Sequence, residues 1–463
     1  MKPMLRSALL ACFCLSASLP VYALDLAQAW KLALERDATY ASARAQQRAS
    51  QQKMPQARAG LLPKLEGSVT GTFQDSRATG SLDQVYNHQR AVWTLTLTQP
   101  LFNWASIQSY EQSKLIVTNS DVQLQLAYQD LLLRVSQAYF DVLIAQDTLT
   151  ALKAEQRSVR EQLTAARQRF ELGEATVTDA LEAQARDDLI GASILAAEND
   201  LTNAENELAR MIGQYPDPGT LYELPYTVTL PGPKPAKLQD WTDQAASANL
   251  NVIQARLQSR IAEHDIQIAK AGHYPTVSLS AQATSNSAGN SAVRPIYGGR
   301  TIDNSVGLTL TIPLYEGGRI NANVVEKAEL QQKSVYDLEG QRRLAIQKAR
   351  QYYNGVQTDL ARIKGLQAAE KSGLSALSAN LAGYQIGVRI NLDVLNAQQQ
   401  LFVTKRDLSK ARYQALMNGL RLRANSGVLS EADLAGVNSL LKAPGTPGTG
   451  IMHGINLPRA GRF

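Results

Sequence analysis

Two aspartates and one arginine are the residues whose types and spacing point to chemistry. Asp179 stands six residues past Gly173, Asp393 stands six past Gly387, and Arg389 lies in the second of these turns only. Each glycine closes a long stretch of helical character, so both aspartates fall at the start of the helix that follows. A carboxylate there caps free amides and meets the positive end of the helix dipole. A second reading stands level with that one. If the turns form the end of a tube, symmetry repeats each inward charge as a ring, and charged rings set ion selectivity in pores.

No other constellation offers catalysis. The histidines His88, His264, His273 and His453 are scattered and lack partners at metal-ligand spacing. No glycine-rich loop opens a helix after a strand, and Gly298-Gly299 reads as loop punctuation. Both cysteines, Cys12 and Cys14, fall in the first residues. Lys2 and Arg6, the short apolar run Ser7 to Leu19 and the small-residue site Val21-Tyr22-Ala23 read as a secretory signal over 1–23. The mature chain from Leu24 then has no thiol nucleophile, no cysteine metal site and no lipid-bearing cysteine. No enzyme activity and no cofactor are expected. The formal charge of +6 includes Lys2 and Arg6, and the remaining basic residues are interspersed with acids along helices. That pattern is a solvated helix face rather than a nucleic-acid surface, so no nucleic acid is expected as partner.

The elements that must carry these turns appear twice. Thr94-Leu95-Thr96-Leu97-Thr98-Gln99-Pro100 recurs as Gly307-Leu308-Thr309-Leu310-Thr311-Ile312-Pro313, Tyr139-Phe140 as Tyr352-Tyr353, and Phe170-Glu171-Leu172-Gly173 as Tyr384-Gln385-Ile386-Gly387. The near-constant offset means one supersecondary unit used twice. The repeats span 24–213 and 238–427, joined by a proline-rich linker over 214–237 and followed by a C-terminal segment over 428–463. That segment holds one short helix and, from Pro444, a tail expected to be disordered.

Each repeat is expected to open with an amphipathic helix, Leu26 to about Gly60 and about Leu238 to Gly272. Strict alternation follows near residues 65–73, 91–99, 277–284 and 305–312, with apolar residues on one face and small or hydroxyl residues on the other. Polar loops are expected over Gln74 to Arg90 and Ser285 to Asn304. This is the pattern of membrane β-barrel strands, although a half-buried soluble sheet shares it. From Phe102 to Leu172 there is neither glycine nor proline. Helical throughout, that stretch reaches roughly 100 Å, several times the thickness of a bilayer core. Return helices are expected over Val177 to Ile212 and Asn391 to Asn425. Four strands cannot close a barrel, and open edges are not tolerated in lipid, so the barrel must be shared between chains.

At these residues the sequence resembles the TolC family of outer-membrane channel tunnels. The likeness covers about Leu24 to Leu441, through the duplication, Tyr139-Phe140, Arg169-Phe170-Glu171-Leu172-Gly173, Thr178-Asp179, Tyr384-Gln385-Ile386-Gly387 and Leu392-Asp393-Val394-Leu395-Asn396-Ala397. The resemblance implies a homotrimer, with four strands per chain in one outer-membrane β-barrel that continues into a long periplasmic α-helical barrel. It implies outer-membrane lipid around the barrel, and as partners a periplasmic adaptor and an inner-membrane pump of ABC, RND or MFS type. The duct would serve type I protein secretion, multidrug efflux or both, passively. The resemblance assigns Asp179, Arg389, Tyr384 and Gln162 to a lock at the periplasmic gate, and Asp393 to a constriction ring. The second acidic position of that ring is Asn396 here, so weaker cation binding is expected. Two rivals from other classes share the pattern: a periplasmic structural coiled-coil protein with a small β cap, and a secreted binding protein with its β-domain on a stalk.

Overall fold

The computed structural model describes residues 24–78, 84–216, 219–288 and 299–446. The expected signal segment 1–23, the side chain of His88, the tips of the two strand-connecting loops and the tail from residue 447, with His453 and Phe463, lie outside the described residues.

The opening segment is not one helix. It is α1 (Leu26–Arg36), α2 (Ala38–Gln51) and α3 (Lys53–Ala59). Asp37 leaves α1 with extended backbone and caps α2, its carboxylate accepting from the Tyr40 amide at 2.7 Å. The second repeat breaks at the counterpart position. Asn249 separates α6 (Leu238–Ala248) from α7 (Leu250–Lys270), and its side chain accepts from the Asn251 and Val252 amides at 2.9 and 3.3 Å. Both capping side chains are buried and tied to distant residues, Asp37 to Arg134 and Asn249 to the Asn425 carbonyl at 2.7 Å. A satisfied buried cap outcompetes the helical continuation that amphipathic spacing favours.

The strands are β1 (Lys64–Ala78), β2 (Gln84–Phe102), β3 (Thr276–Ala288) and β4 (Gly299–Thr311), in one antiparallel sheet of that order. They run beyond the alternating segments, so the described parts of the expected loops, 74–78, 84–90, 285–288 and 299–304, are strand. Phe73↔Gln89 and Ser76↔Tyr86 still pair. The ladder is made by backbone groups and continues where the side chains turn polar on both faces. The register places Val69 opposite Trp93, Leu97 opposite Ala281 and Leu279 opposite Leu308, which gathers the apolar residues on one face. Among the described residues no element covers that face: Val69, Trp93 and Leu308 are 62%, 64% and 66% exposed. β1 and β4 each keep one unpaired edge among the described residues.

From the sheet run two long helices, α4 (Trp104–Glu171) and α8 (Arg319–Gln385), of 68 and 67 residues. Each is roughly 100 Å long. Return helices α5 (Val177–Ile212) and α9 (Asn391–Asn425) fold back along them, and α10 (Glu431–Asn438) follows. Among the described residues no helix is long and apolar enough to cross a membrane. The main core lies midway, where α1, α4, the end of α5, the linker and α9 meet around Trp30, Leu131, Tyr139, Phe140, Ile212, Tyr413 and Leu420. There the linker is held by polar bonds: Arg412 donates to the Pro225 and Val228 carbonyls at 2.6 and 3.2 Å, and Tyr226 donates to Glu370.

Candidate functional site

The turns at the far end of the helices share one backbone geometry. Gly173 has φ +75° and Gly387 φ +78°. Glu174 N donates to Arg169 O at 2.8 Å and Gly173 N to Phe170 O at 2.9 Å. The second turn repeats this with Val388 N to Gly383 O at 2.9 Å and Gly387 N to Tyr384 O at 3.2 Å. This is the glycine-closed helix end, in which left-handed backbone satisfies the last carbonyls.

The side chains break the symmetry. Arg389 is matched by Ala175 in the first turn, and Gly383 is matched by Arg169. A Cβ on Gly383 would lie 2.7 Å from Arg389 Cγ, so the missing side chain is what lets Arg389 fold back against α8. Arg169 instead lies over the Tyr384 ring at 4.8 Å, a cation–π contact between the two hairpins.

Asp179 caps its own helix: its amide donates to Thr176 Oγ1 at 3.3 Å, and its carboxylate accepts from the Thr176 amide at 3.4 Å. Within the chain Arg389 pairs with Asp393 at 3.6 Å rather than with Asp179. The Tyr384 hydroxyl is buried and has no hydrogen-bond partner among the described residues. The half-buried Gln162 side chain likewise bonds nothing among the described residues. The four lock residues therefore form no hydrogen bond or ion pair with one another inside one chain. Asn396 is exposed and accepts from Arg186 Nη2 at 3.2 Å.

Other residues bring the two hairpins together. Asn391 Nδ2 donates to the Asp179 carbonyl at 3.2 Å, and Gln398 Nε2 to Ser158 Oγ at 2.8 Å. Asn391 Oδ1 and Gln398 Oε1 join Tyr384 Oη as buried atoms with no partner among the described residues. Three such atoms along one seam mark a surface short of hydrogen bonds, at about 1–3 kcal/mol for each group left unmade. Sequence reading passed over Arg186, Asn391 and Gln398. One signal was available: Arg186 follows Asp179 by seven residues, two turns along the same face. Farther from the tip, burial pushes the Glu155 carboxyl up, while Arg406 and Arg186 pull it back. The turns themselves are apolar and uncovered, with Leu172, Ile386 and Val388 at 74%, 76% and 73% exposure. The described histidines each bond one amide side chain, His264 to Gln108 at 2.9 Å and His273 to Asn321 at 3.0 Å.

Comparison with known proteins gives consistent matches. The family described as outer membrane efflux protein matches residues 29–214 and again 241–428. The alkaline protease secretion protein AprF of Pseudomonas aeruginosa is 32% identical over 418 residues, covering 89% of this chain and 86% of that protein. The outer membrane protein TolC of Vibrio cholerae is 31% identical, covering 91% of this chain and 95% of its own length. Among solved structures, the outer membrane protein VceC of Vibrio cholerae superposes with a TM-score of 0.73 at 20% identity, over 87% of this chain and 96% of that one.

Proposed function

The chain belongs to the outer membrane efflux protein family, and from that membership we propose that it is the passive outer-membrane duct of an export pathway, without catalytic activity of its own. Three copies place twelve strands in one barrel in the outer membrane, and their helices continue as a tube through the periplasm. A periplasmic adaptor and an inner-membrane pump of ABC, RND or MFS type supply energy and cargo. The similarity to a protease secretion protein favours type I protein secretion as one cargo class, with small-molecule efflux as the other.

The observation that carries this reading is the sheet. Its apolar face is left uncovered by the chain's own helices, and its outer strands keep open edges. A soluble β cap would bury that face, whereas a shared barrel offers it to lipid and pairs β4 of one chain with β1 of the next. Purified in detergent, the protein should run as a heat-modifiable trimer. A monomer that stays in solution without detergent would refute the reading.

At the far end we assign the lock to contacts between chains. Arg389 exchanges Asp393 for Asp179 of a facing turn, and the orphaned Tyr384 hydroxyl takes Gln162 as partner. Asp393 then forms the constriction ring, with Asn396 adding no charge of its own.

A further inference from the structure

We propose that Arg186 places a positive charge at the level of Asn396, one helical turn farther from the tip than Asp393, so that the narrow end carries a ring of each sign. The proposal rests on Asp393 lining the constriction, as put forward above.

Asp393 and Asn396 are three residues apart on α9 and share a face. Arg186 reaches them from α5, with its Nη2 bonded to Asn396 Oδ1 at 3.2 Å. The amide is neutral, so this bond fixes the guanidinium without cancelling its charge. Three acids lie near it: Asp187 beside it, Glu182 four residues earlier on α5, and Glu155 on α4, whose carboxyl it pulls down. Asp187 is taken by Arg160 at 3.0 Å. Glu182, the counterpart of Asn396 in the first repeat, forms no ion pair among the described residues, and Glu155 is buried on α4. Arg186 makes no ion pair among the described residues either, and it is only half-buried.

The consequence concerns what an acid at position 396 would do. Were Asn396 a carboxylate, Arg186 would stand at ion-pair distance and neutralise it. Asn396→Asp should therefore cancel the Arg186 charge and tighten cation binding about as much as removing Arg186 does. With Arg186 removed as well, the new carboxylate stands uncompensated and the ring becomes net negative. For a trivalent cation about 7 Å from a unit charge in a water-like medium, the Coulomb interaction at low salt is worth roughly tenfold in affinity for each chain's charge.

The test is block of single channels by hexamminecobalt(III), added on the side of the helical turns in planar bilayers. Five variants are compared with the wild type: Asn396→Asp, Arg186→Gln, the two combined, Arg186→Lys and Asp393→Asn. The proposal expects block within about twofold of wild type for Arg186→Lys. It expects block at least roughly tenfold tighter for Arg186→Gln and for Asn396→Asp alike, and tighter again for the combination. Arg186→Lys keeps the charge and so separates electrostatics from any loss of packing. Unchanged block in Arg186→Gln, together with weaker block in Asp393→Asn, would overturn the role of Arg186 alone. Unchanged block in Asp393→Asn would overturn the constriction and this inference together.

Discussion

The ion pair of Lys405 and Glu370 offers a quantitative test of how the tube wall is held. Lys405 on α9 lies 3.2 Å from Glu370 on α8, with side chains only 2% and 7% exposed, and Tyr226 of the linker donates to the same carboxylate. Burial pulls the Lys405 ammonium below its usual pKa, because the charged form is stripped of water, while Glu370 pulls it back. Lys405→Met leaves Glu370 buried with Tyr226 alone, and breaking a buried pair in this way costs about 3–5 kcal/mol per chain. Removing both charges, as Lys405→Met with Glu370→Leu, returns most of that loss. What remains is about 1–3 kcal/mol for the Tyr226 hydroxyl, now without its acceptor. Adding Tyr226→Phe should recover that remainder. Urea unfolding of the helices, followed by far-ultraviolet circular dichroism in detergent, measures each variant. Additive losses in the single and double variants would refute the reasoning, since they would mean that the two charges are solvated separately.

Three further outcomes are expected. Replacing Leu95 or Leu308 by lysine should cost about 2–4 kcal/mol near the bilayer midplane, whereas lysine at Thr96 or Thr309 should be milder; equal loss of assembled barrel on both faces would contradict the lipid-facing assignment. Burial pushes the Asp147 carboxyl up to about 7, against the opposing Ser409 hydrogen bond and Arg412 and with help from Glu223. The unfolded chain releases that proton near pH 4, so the stabilisation is full below about 4 and is lost as pH rises through about 7. Asp147→Asn should flatten the fall in stability over that window, and an unaltered pH profile would contradict the burial of this carboxylate. Arg389→Ser with Tyr384→Phe should raise single-channel conductance while trimers persist, and wild-type conductance from intact trimers would return both residues to packing and capping.

What was legible in the sequence followed local physics. The ends of α4 and α8 and the two turns could be located because Gly173 and Gly387 must adopt positive φ, and the starts of α5 and α9 follow at fixed distance. The break at Asp37 could not, since amphipathic spacing runs through it and the deciding partner, Arg134, comes from another helix. The strand ends beyond Phe73 and before Ala91 were hidden because their side chains are polar while the backbone still pairs. At the site, Asp179 and Asp393 stood out by spacing from glycine. Arg389 and Asp393 are four residues apart, but Arg389 precedes the α9 cap Ile390, so their pairing depends on how the turn folds and not on helical spacing. Arg186 reaches Asn396 only because α5 and α9 lie side by side, a placement no local pattern encodes.

Conductance of the purified protein in planar lipid bilayers tests the central claim most directly. A passive duct should insert as trimers and conduct ions steadily without nucleotide or any other energy source, with small, mostly closed wild-type currents that grow when the turns are unlocked. Trimers that insert and never conduct, in wild type or unlocked form, would contradict the account.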